Sequence, residues 1–202
     1  KQCAVVFSPH WELDERARTT EQKSTKKVKT LLYQAKMVRR VDALLVSSEQ
    51  ERQDILKLGW TKRIDIVQDS VLNSSLSDDD MALQTISFYR KVLDTRYQFA
   101  MTAMEKDAIP SLLHVGLAQE TTHNLLPSDQ LLNLRSLNPE QWRRIFLYAD
   151  DEGIREIVDN CISRLQLNAP TIDTAAIQRF PLLSPKETTS VDTDKLIGNQ
   201  PM

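Results

Sequence analysis

Short apolar runs mark the beginning of the chain, and apolar residues at helical spacing mark most of the rest. Residues 3–7 form an unbroken apolar run that ends at Ser8 and Pro9. Such a run is typical of a strand that is buried on both faces. Residues 42–46 are apolar after a leading aspartate, and residues 62–67 alternate charged and apolar side chains. The pattern therefore predicts three strands near the start of the chain.

Helical patterns separate the predicted strands. Apolar residues recur at helical spacing over 26–40, which predicts an amphipathic helix. Ser48 followed by Glu51 is a capping-box signature, and Gly59 is a natural residue just after a helix, so a second helix is predicted between them. Strands that alternate with helices over short links form parallel sheets with right-handed crossovers. Residues 1–75 are therefore predicted to form a short parallel β-α-β-α-β Rossmann-like unit within an α/β fold.

The remainder of the chain carries helical spacing and then loses it. Apolar positions predict a long helix over 80–106, an interruption at Pro110, and further helices over 111–119, 128–135, 139–149 and 151–166. From residue 169 onward Pro, Thr, Asp and Ser dominate, so the tail 169–202 is predicted to be extended or disordered. The predicted organisation is a Rossmann-like portion over 1–75, a mostly α-helical region over 76–168, and this tail.

Composition indicates an ordinary globular protein of the cytoplasm. The hydrophobic fraction is 41%, the charged fraction is 27% and the formal net charge is −2, so the whole molecule is not drawn to nucleic acid. Cys3 and Cys161 stand far apart without metal or redox spacing, which is typical of reduced thiols. No apolar run approaches the roughly 20 residues that span a bilayer. Because an apolar strand follows Lys1 almost at once, we expect the sequence to be part of a longer protein.

Five segments near the start of the chain follow one another in an order known from an enzyme family. Residues 5–10 read as a strand ending in serine, proline and histidine. A basic helix with Tyr33 that ends in Arg39 and Arg40 follows, and residues 41–48 read as a strand ending in two serines. Residues 49–59 read as a helix ending in glycine, and residues 64–71 as the next strand. In this order they resemble the end of the N-terminal domain of GT-B glycosyltransferases of the family 4 and family 1 type. The resemblance implies hexosyl transfer from a nucleotide-sugar donor to a saccharide or lipid acceptor.

The sequence also departs from the glycosyltransferase pattern. Trp11 stands where the family has a glycine, and Asp69 and Ser70 stand where it has asparagine and glycine. Glycine is scarce, and neither a GxGxxG motif nor a phosphate-binding P-loop is present. Nothing in 76–202 resembles the second Rossmann-like domain, which in the family binds the nucleotide sugar. The donor-binding half is therefore missing or replaced.

The candidate site lies where the predicted strands end. Open α/β sheets bind ligands at the carboxyl ends of their strands. His10, Ser47, Ser48 and Glu49 all follow predicted strands. The resemblance implies that His10 would contact the reacting sugar as the catalytic residue. Ser47, Ser48 and Glu49 are candidates for binding a hydroxylated substrate because they stand at the same edge. Helix capping fully explains these three residues and is the favoured alternative, and a solvated loop position explains the histidine.

A basic stretch precedes the second predicted strand. Residues 16–40 hold nine basic side chains, including Lys26 and Lys27, against the single acid Glu21. Such a stretch suits the phosphates of a sugar nucleotide, a lipid surface or a nucleic acid. It is equally typical of a solvated helix face. Lys26 and Lys27 are therefore included as candidate substrate-binding residues.

Three functional hypotheses follow from these observations. The first is a glycosyltransferase-like protein that meets a nucleotide sugar and a saccharide acceptor, either in the cytoplasm or at the periphery of a membrane. It requires no metal and no cofactor beyond the nucleotide-sugar donor. The second is a non-catalytic scaffold for interaction with a protein partner. The third, nucleic-acid binding through 16–40, is the least favoured because the net charge is slightly negative.

Overall fold

The computed structural model describes residues 3–9, 33–61, 63–70, 75–119 and 126–181. The chain divides into two units, each assembled from separated stretches. The helical unit combines Lys1–Ala4 with Tyr89–Arg179, and the sheet unit combines Val5–Phe88 with Phe180–Met202. One of these boundaries falls inside a helix, so that helix is shared by both units.

The sheet unit contains a three-stranded parallel sheet. Its strands are β1 (Val6–Phe7), β2 (Ala43–Val46) and β3 (Ile64–Ile66), in the spatial order β1-β2-β3. Val6 is level with Ala43, and Leu44 is level with Ile64. The prediction of an α/β fold with parallel strands is confirmed. The strands are shorter than the apolar runs that predicted them, since β1 pairs with β2 over only two residues.

Two helices flank β2 along the chain. Helix α1 covers 33–40, and the earlier part of the helix predicted there lies outside the described residues. Helix α2 (Glu49–Lys57) begins after Ser48, whose side chain accepts a hydrogen bond from the backbone N–H of Glu51. Gly59 follows the helix with a φ of +67°, a conformation that glycine adopts without steric cost. The start and end signals of α2 were therefore predicted correctly.

The apolar residues of the strands and helices form the core of the sheet unit. It consists of Val38, Leu44, Val46, Ile55 and Ile64. Each of these residues belongs to an apolar pattern that the sequence displays. Their burial provides the main stabilisation of the sheet unit, because side chains of this size each contribute about 1.5–3 kcal/mol when removed from water.

A distant segment of the chain completes the sheet unit. Residues 169–181 form neither helix nor strand, yet Phe180 is buried. Its ring contacts Phe88 edge-on, with ring centroids 6.1 Å apart. Arg63 donates from Nε to the backbone carbonyl of Pro181 at 3.1 Å. The beginning of the predicted tail is therefore held by specific contacts.

Helices make up most of the described residues. They are α3 (Asp78–Thr95), α4 (Tyr97–Ala100), α5 (Ala103–Leu117), α6 (Ser128–Arg135), α7 (Pro139–Asp151) and α8 (Arg155–Leu165). None of the helices in the described ranges is long and apolar enough to cross a bilayer. Together with the small sheet they make the protein an α/β fold that is mainly helical.

The single long helix predicted over 80–106 is wrong. The chain forms α3, the short α4 and the start of α5 in this stretch. Thr102 begins α5 with a capping box, because its side chain accepts from the N–H of Glu105 while the Glu105 carboxylate accepts from the Thr102 N–H. This local signal was visible in the sequence, but the continuous apolar spacing masked it.

The interruption predicted at Pro110 is also wrong, because α5 continues through it. Pro110 lies inside the helix Ala103–Leu117. Proline removes one backbone donor and costs a helix interior about 3 kcal/mol. Ala108, Leu112 and Val115 of the same helix are fully buried. We attribute the continuity of α5 to this packing, which exceeds the local cost of proline.

Helices α5 and α8 approach each other closely at Gly116. A Cβ atom added to Gly116 would stand 2.1 Å from the backbone oxygen of Ile157. Asn160 donates from Nδ2 to the Gly116 carbonyl at 2.7 Å, and Arg164 donates to the Val115 carbonyl at 3.0 Å. Side chains of α8 therefore satisfy the last carbonyls of α5, which a helix end leaves without intrahelical partners.

Two arginines of α7 form ion pairs with acids of other helices. Arg143 donates two hydrogen bonds to Asp94, at 2.8 and 2.7 Å. Arg144 donates two to Glu105, at 2.6 and 3.2 Å. The Glu105 carboxylate also accepts from the N–H and the hydroxyl of Thr102. Glu105 is fully buried, so these four donors replace its water shell.

Candidate functional site

The carboxyl edge of the sheet is where sequence reasoning placed a ligand site. Ser8 follows β1, Ser47 and Ser48 follow β2, and Gln68 lies just beyond β3. The Ser8 hydroxyl donates to the backbone carbonyl of Leu45 at 3.0 Å. The structure thus places the predicted serines Ser47 and Ser48 at the carboxyl end of β2, where open α/β sheets bind ligands.

The hydroxyl groups of the two predicted serines after β2 are already hydrogen-bonded within the first turn of α2. The Ser48 hydroxyl accepts from the backbone N–H of Glu51 at 3.2 Å. The N–H and the hydroxyl of Ser47 both donate to one carboxylate oxygen of Glu51, at 3.0 and 3.2 Å. Glu51 is almost completely buried. Both hydroxyls therefore fulfil a helix-capping role in this structure.

Glu49 occupies the solvent side of the same turn. Its carboxylate accepts from Gln53 and, at 3.1 Å, from Arg52. These hydrogen bonds, with the one from Gln53 contributing most, lower the pKa of Glu49 below its ordinary value. An acid at this position also favours the positive end of the α2 dipole. Glu49 thus has a local structural role and lies at the predicted edge.

The remaining predicted site residues lie outside the described residues. These are His10, Lys26 and Lys27, so the catalytic histidine and the two basic substrate contacts stay predictions. Of the basic stretch 16–40, the described part is 33–40 within α1. The hypotheses of phosphate, membrane and nucleic-acid contact through that stretch also stay predictions.

The segment after β3 is connected to the beginning of α3. The backbone N–H of Gln68 donates to the side-chain oxygen of Gln84 at 3.3 Å. The Ser70 hydroxyl donates to the Asp78 carboxylate at 2.6 Å. These contacts fix where α3 begins relative to the sheet edge. They were not predicted, because the partners are separated in sequence and carry no shared motif.

A polar cluster in the helical unit holds the segment that follows α8. Asp151 accepts two hydrogen bonds from Arg179, each 2.8 Å long, and one from the Tyr97 hydroxyl at 2.6 Å. The hydrogen bonds from the Arg179 guanidinium are the main reason why the pKa of Asp151 lies below its ordinary value. Burial, aided by Asp151, raises the pKa of Tyr97 far above its ordinary value. All three groups are paired with one another, which indicates a structural connection.

The most unusual surface feature is an exposed apolar face of α3. We name it the α3 stripe, and it consists of Leu83, Ile86, Tyr89 and Leu93. Leu83 and Ile86 are each 64% exposed, Tyr89 is 48% exposed and Leu93 is 49% exposed. The other face of α3 carries Phe88 and Val92, which are both 2% exposed. The helix is therefore apolar on two separate faces, and one of them is in solvent.

The sequence contained the signal for this second face. Leu83, Ile86, Tyr89 and Leu93 are spaced by three and four residues, which is the repeat of one helix face. Phe88 and Val92 repeat at a spacing of four on their own face. The prediction of one long helix over 80–106 merged the two sets, because the exposed and the buried apolar positions both recur at helical spacing. Separating them by helical angle would have predicted a two-faced helix.

Charge is distributed unevenly along α3. Asp78, Asp79 and Asp80 form its first turn, where acids favour the positive end of the helix dipole. Arg90 lies near its other end, and Arg96 follows its last residue. Arg90 forms an ion pair with Glu140 at 2.7 Å. The last turn of α3 itself holds no basic residue, and Arg90 and Arg96 stand on either side of Asp94 along the chain.

The described ranges hold no built metal site, and their buried thiol is poorly suited to nucleophilic chemistry. Within them, no three His, Cys, Asp or Glu side chains are placed to hold a metal ion together. Cys161 is fully buried, and burial raises the pKa of its thiol to about 11. A thiol with a raised pKa is a weak nucleophile at neutral pH.

Comparison of the chain with protein-family models, with curated proteins and with solved structures finds no match. The functional assignment therefore rests on the geometry of the chain itself.

Proposed function

We propose that this chain is a non-catalytic interaction scaffold that binds an amphipathic protein helix on the α3 stripe. The observation that carries the proposal is the exposure of Leu83, Ile86, Tyr89 and Leu93 along one face of one helix. Isolated exposed apolar residues are common on protein surfaces. A row of them at helical spacing is typical of a helix-docking face.

The size of the exposed side chains supports binding of a helix. Complete burial of one Leu or Ile side chain contributes about 1.5–3 kcal/mol. The stripe offers three aliphatic side chains of this size, which are Leu83, Ile86 and Leu93. Tyr89 adds a fourth anchor, which combines an apolar ring with a polar tip. A partner helix with apolar residues every three or four positions would cover all four at once.

The predicted ligand edge of the sheet favours a scaffold over an enzyme. Ser47 and Ser48 use their hydroxyls to cap α2 and to hold Glu51. Ser8 donates its hydroxyl to the Leu45 carbonyl. A substrate that recruited these groups would have to compete with hydrogen bonds that the fold already uses.

Site-specific photo-cross-linking tests the proposal. A benzophenone amino acid replaces Ile86 in the full chain, and in a control it replaces Leu132, an exposed apolar residue of α6. We expect discrete higher-mass products from position 86 and none from position 132 after irradiation in the cells that make the protein. Absence of any product at position 86, or equal labelling at both positions, would contradict the proposal.

A glycosyltransferase-like activity is the second candidate, and the topology of the sheet favours it. Three parallel strands in the order β1-β2-β3, with α2 between β2 and β3, suit a Rossmann-like unit. In this candidate a nucleotide sugar would bind at the carboxyl edge, and His10 would contact the reacting sugar. A second domain or a partner would bind the diphosphate.

Thermal-shift titration tests this candidate. The full chain is melted with a panel of nucleotide sugars and free nucleoside diphosphates, at low and at high salt. A salt-tolerant rise in Tm for one nucleotide sugar, lost in His10→Ala, is expected if the site exists, because a ligand stabilises the state that it binds. A flat Tm across the whole panel, in a chain that melts cooperatively, would count against transferase activity.

A further inference from the structure

We infer that the partner helix on the α3 stripe is the same helix of a second copy of this chain, in antiparallel orientation. The inference rests on the proposed function and specifies its occupant. Three properties of α3 carry it: the spacing of the exposed apolar residues, the distribution of charge along the helix, and the way in which a two-fold axis matches one half of the stripe to the other.

The spacing of the stripe suits pairing of two helices. Leu83, Ile86, Arg90 and Leu93 alternate steps of three and four residues, which is the repeat that lets two helices interlock along a seam. Arg90 lies in the middle of this repeat with its guanidinium turned to Glu140. Its aliphatic stem can cover neighbouring apolar surface while the charge stays in water.

The charges of α3 select the antiparallel orientation. Asp78 and Asp79 lie at the beginning of the stripe, and Arg96 follows its end. Asp94 near that end is already compensated by Arg143 at 2.7 Å, whereas Arg96 donates to the neutral Cys3 carbonyl at 3.1 Å and keeps its positive charge. A parallel pair would therefore place acids against acids, whereas an antiparallel pair places the acids of each copy near Arg96 of the other. Charges that flank an apolar seam determine orientation in this way.

A two-fold axis level with Phe88 makes the stripe complementary to itself. Position 83 of one copy is then level with position 93 of the other, so Leu83 meets Leu93 at both ends of the seam. Asp79 of one copy then lies within one residue of the level of Arg96 of the other copy. Because an isologous interface uses the same patch on both copies, each of these contacts occurs twice.

The mass of the full chain in solution tests the inference. Light scattering and sedimentation over a concentration series should give a dimer for the native chain and a monomer for Ile86→Glu. Far-UV circular dichroism and thermal melting show that the variant is folded, as expected for a residue that is 64% exposed. Leu132→Glu, the matched control on α6, should remain a dimer. A dimer that survives Ile86→Glu would overturn the inference.

Charge exchange tests the orientation with a surface variant. Asp79→Arg should raise the dimer dissociation constant about tenfold, since two repulsive contacts replace two attractive ones. The double variant Asp79→Arg with Arg96→Asp should restore association. In a parallel pair Asp79→Arg would instead relieve the repulsion between the acids of the two copies, so a dissociation constant that Asp79→Arg lowers or leaves unchanged would overturn the antiparallel arrangement.

The scaffold function and self-association are contradicted by different results. A chain that is monomeric at every concentration, while Ile86 cross-links to a different protein, would overturn self-association and keep the scaffold function. A monomer whose cross-linker at position 86 reacts only within its own chain would overturn both. Cross-links between two copies at position 86, together with the mass of a dimer, would support both.

Discussion

The Gly116→Ala variant should lose about 3 kcal/mol of unfolding free energy. The added Cβ atom would stand 2.1 Å from the backbone oxygen of Ile157, closer than any real Cβ contact. Relief requires α5 and α8 to separate, which also stretches the hydrogen bond from Asn160 to the Gly116 carbonyl. Urea unfolding followed by far-UV circular dichroism measures the loss.

Two further variants isolate the cause of this effect. Ile157→Ala removes the Cγ2 atom that lies 2.6 Å from the added carbon but leaves the backbone oxygen in place. The double variant Gly116→Ala with Ile157→Ala should therefore show no recovery. Gly153→Ala, at a φ of +68° with no atom within 4 Å of its added carbon, should lose about 1 kcal/mol from backbone strain alone. An equal loss in both alanine variants would refute the close-contact explanation.

The Arg144→Leu variant should be destabilised by about 3–5 kcal/mol, the usual cost of leaving one member of a buried ion pair alone. Arg144 supplies two of the four donors of the fully buried Glu105. Thr102 retains the other two, but it cannot neutralise the carboxylate. Equilibrium unfolding at neutral pH gives the difference.

The carboxylate itself can be changed to test this account. Glutamine at position 105 preserves the capping box with Thr102 and carries no charge, so Glu105→Gln with Arg144→Leu should be more stable than Arg144→Leu alone. Arg52→Leu removes the exposed pair with Glu49 and should cost less than about 1 kcal/mol. A similar loss in Arg52→Leu and Arg144→Leu would show that burial of the pair does not matter.

Local signals account for the parts of the fold that the sequence predicted. The apolar runs that became β1 and β2 are continuous, and the segment that became β3 alternates charged and apolar residues. Both patterns are local signals for a strand. Ser48 and Gly59 mark the start and the end of α2 by chemistry that acts within four residues. Predictions of this kind succeed because each signal lies within a few residues of the strand or helix that it determines.

Effects that depend on distant residues were not predictable. Glu105 and Arg144 are 39 residues apart in sequence, and no motif connects them. Pro110 was expected to interrupt a helix because its local cost is visible, whereas the packing that offsets this cost is not. The candidate site shows the same difference between position and contacts. Ser47, Ser48 and Glu49 stand at the predicted edge of the sheet, but their hydrogen bonds stabilise helix α2.

The discontinuous sheet unit has a consequence for synthesis on the ribosome. Arg63 binds the carbonyl of Pro181, 118 residues later, and the ring of Phe88 rests against that of Phe180. Because chains emerge from the amino end, strands made early must wait for these late partners while the helices between them are translated. Closing so long a loop is slow relative to forming local helices. The nascent strands therefore lack these partners while the helices that follow them leave the exit tunnel, and we expect them to need chaperone protection during that time.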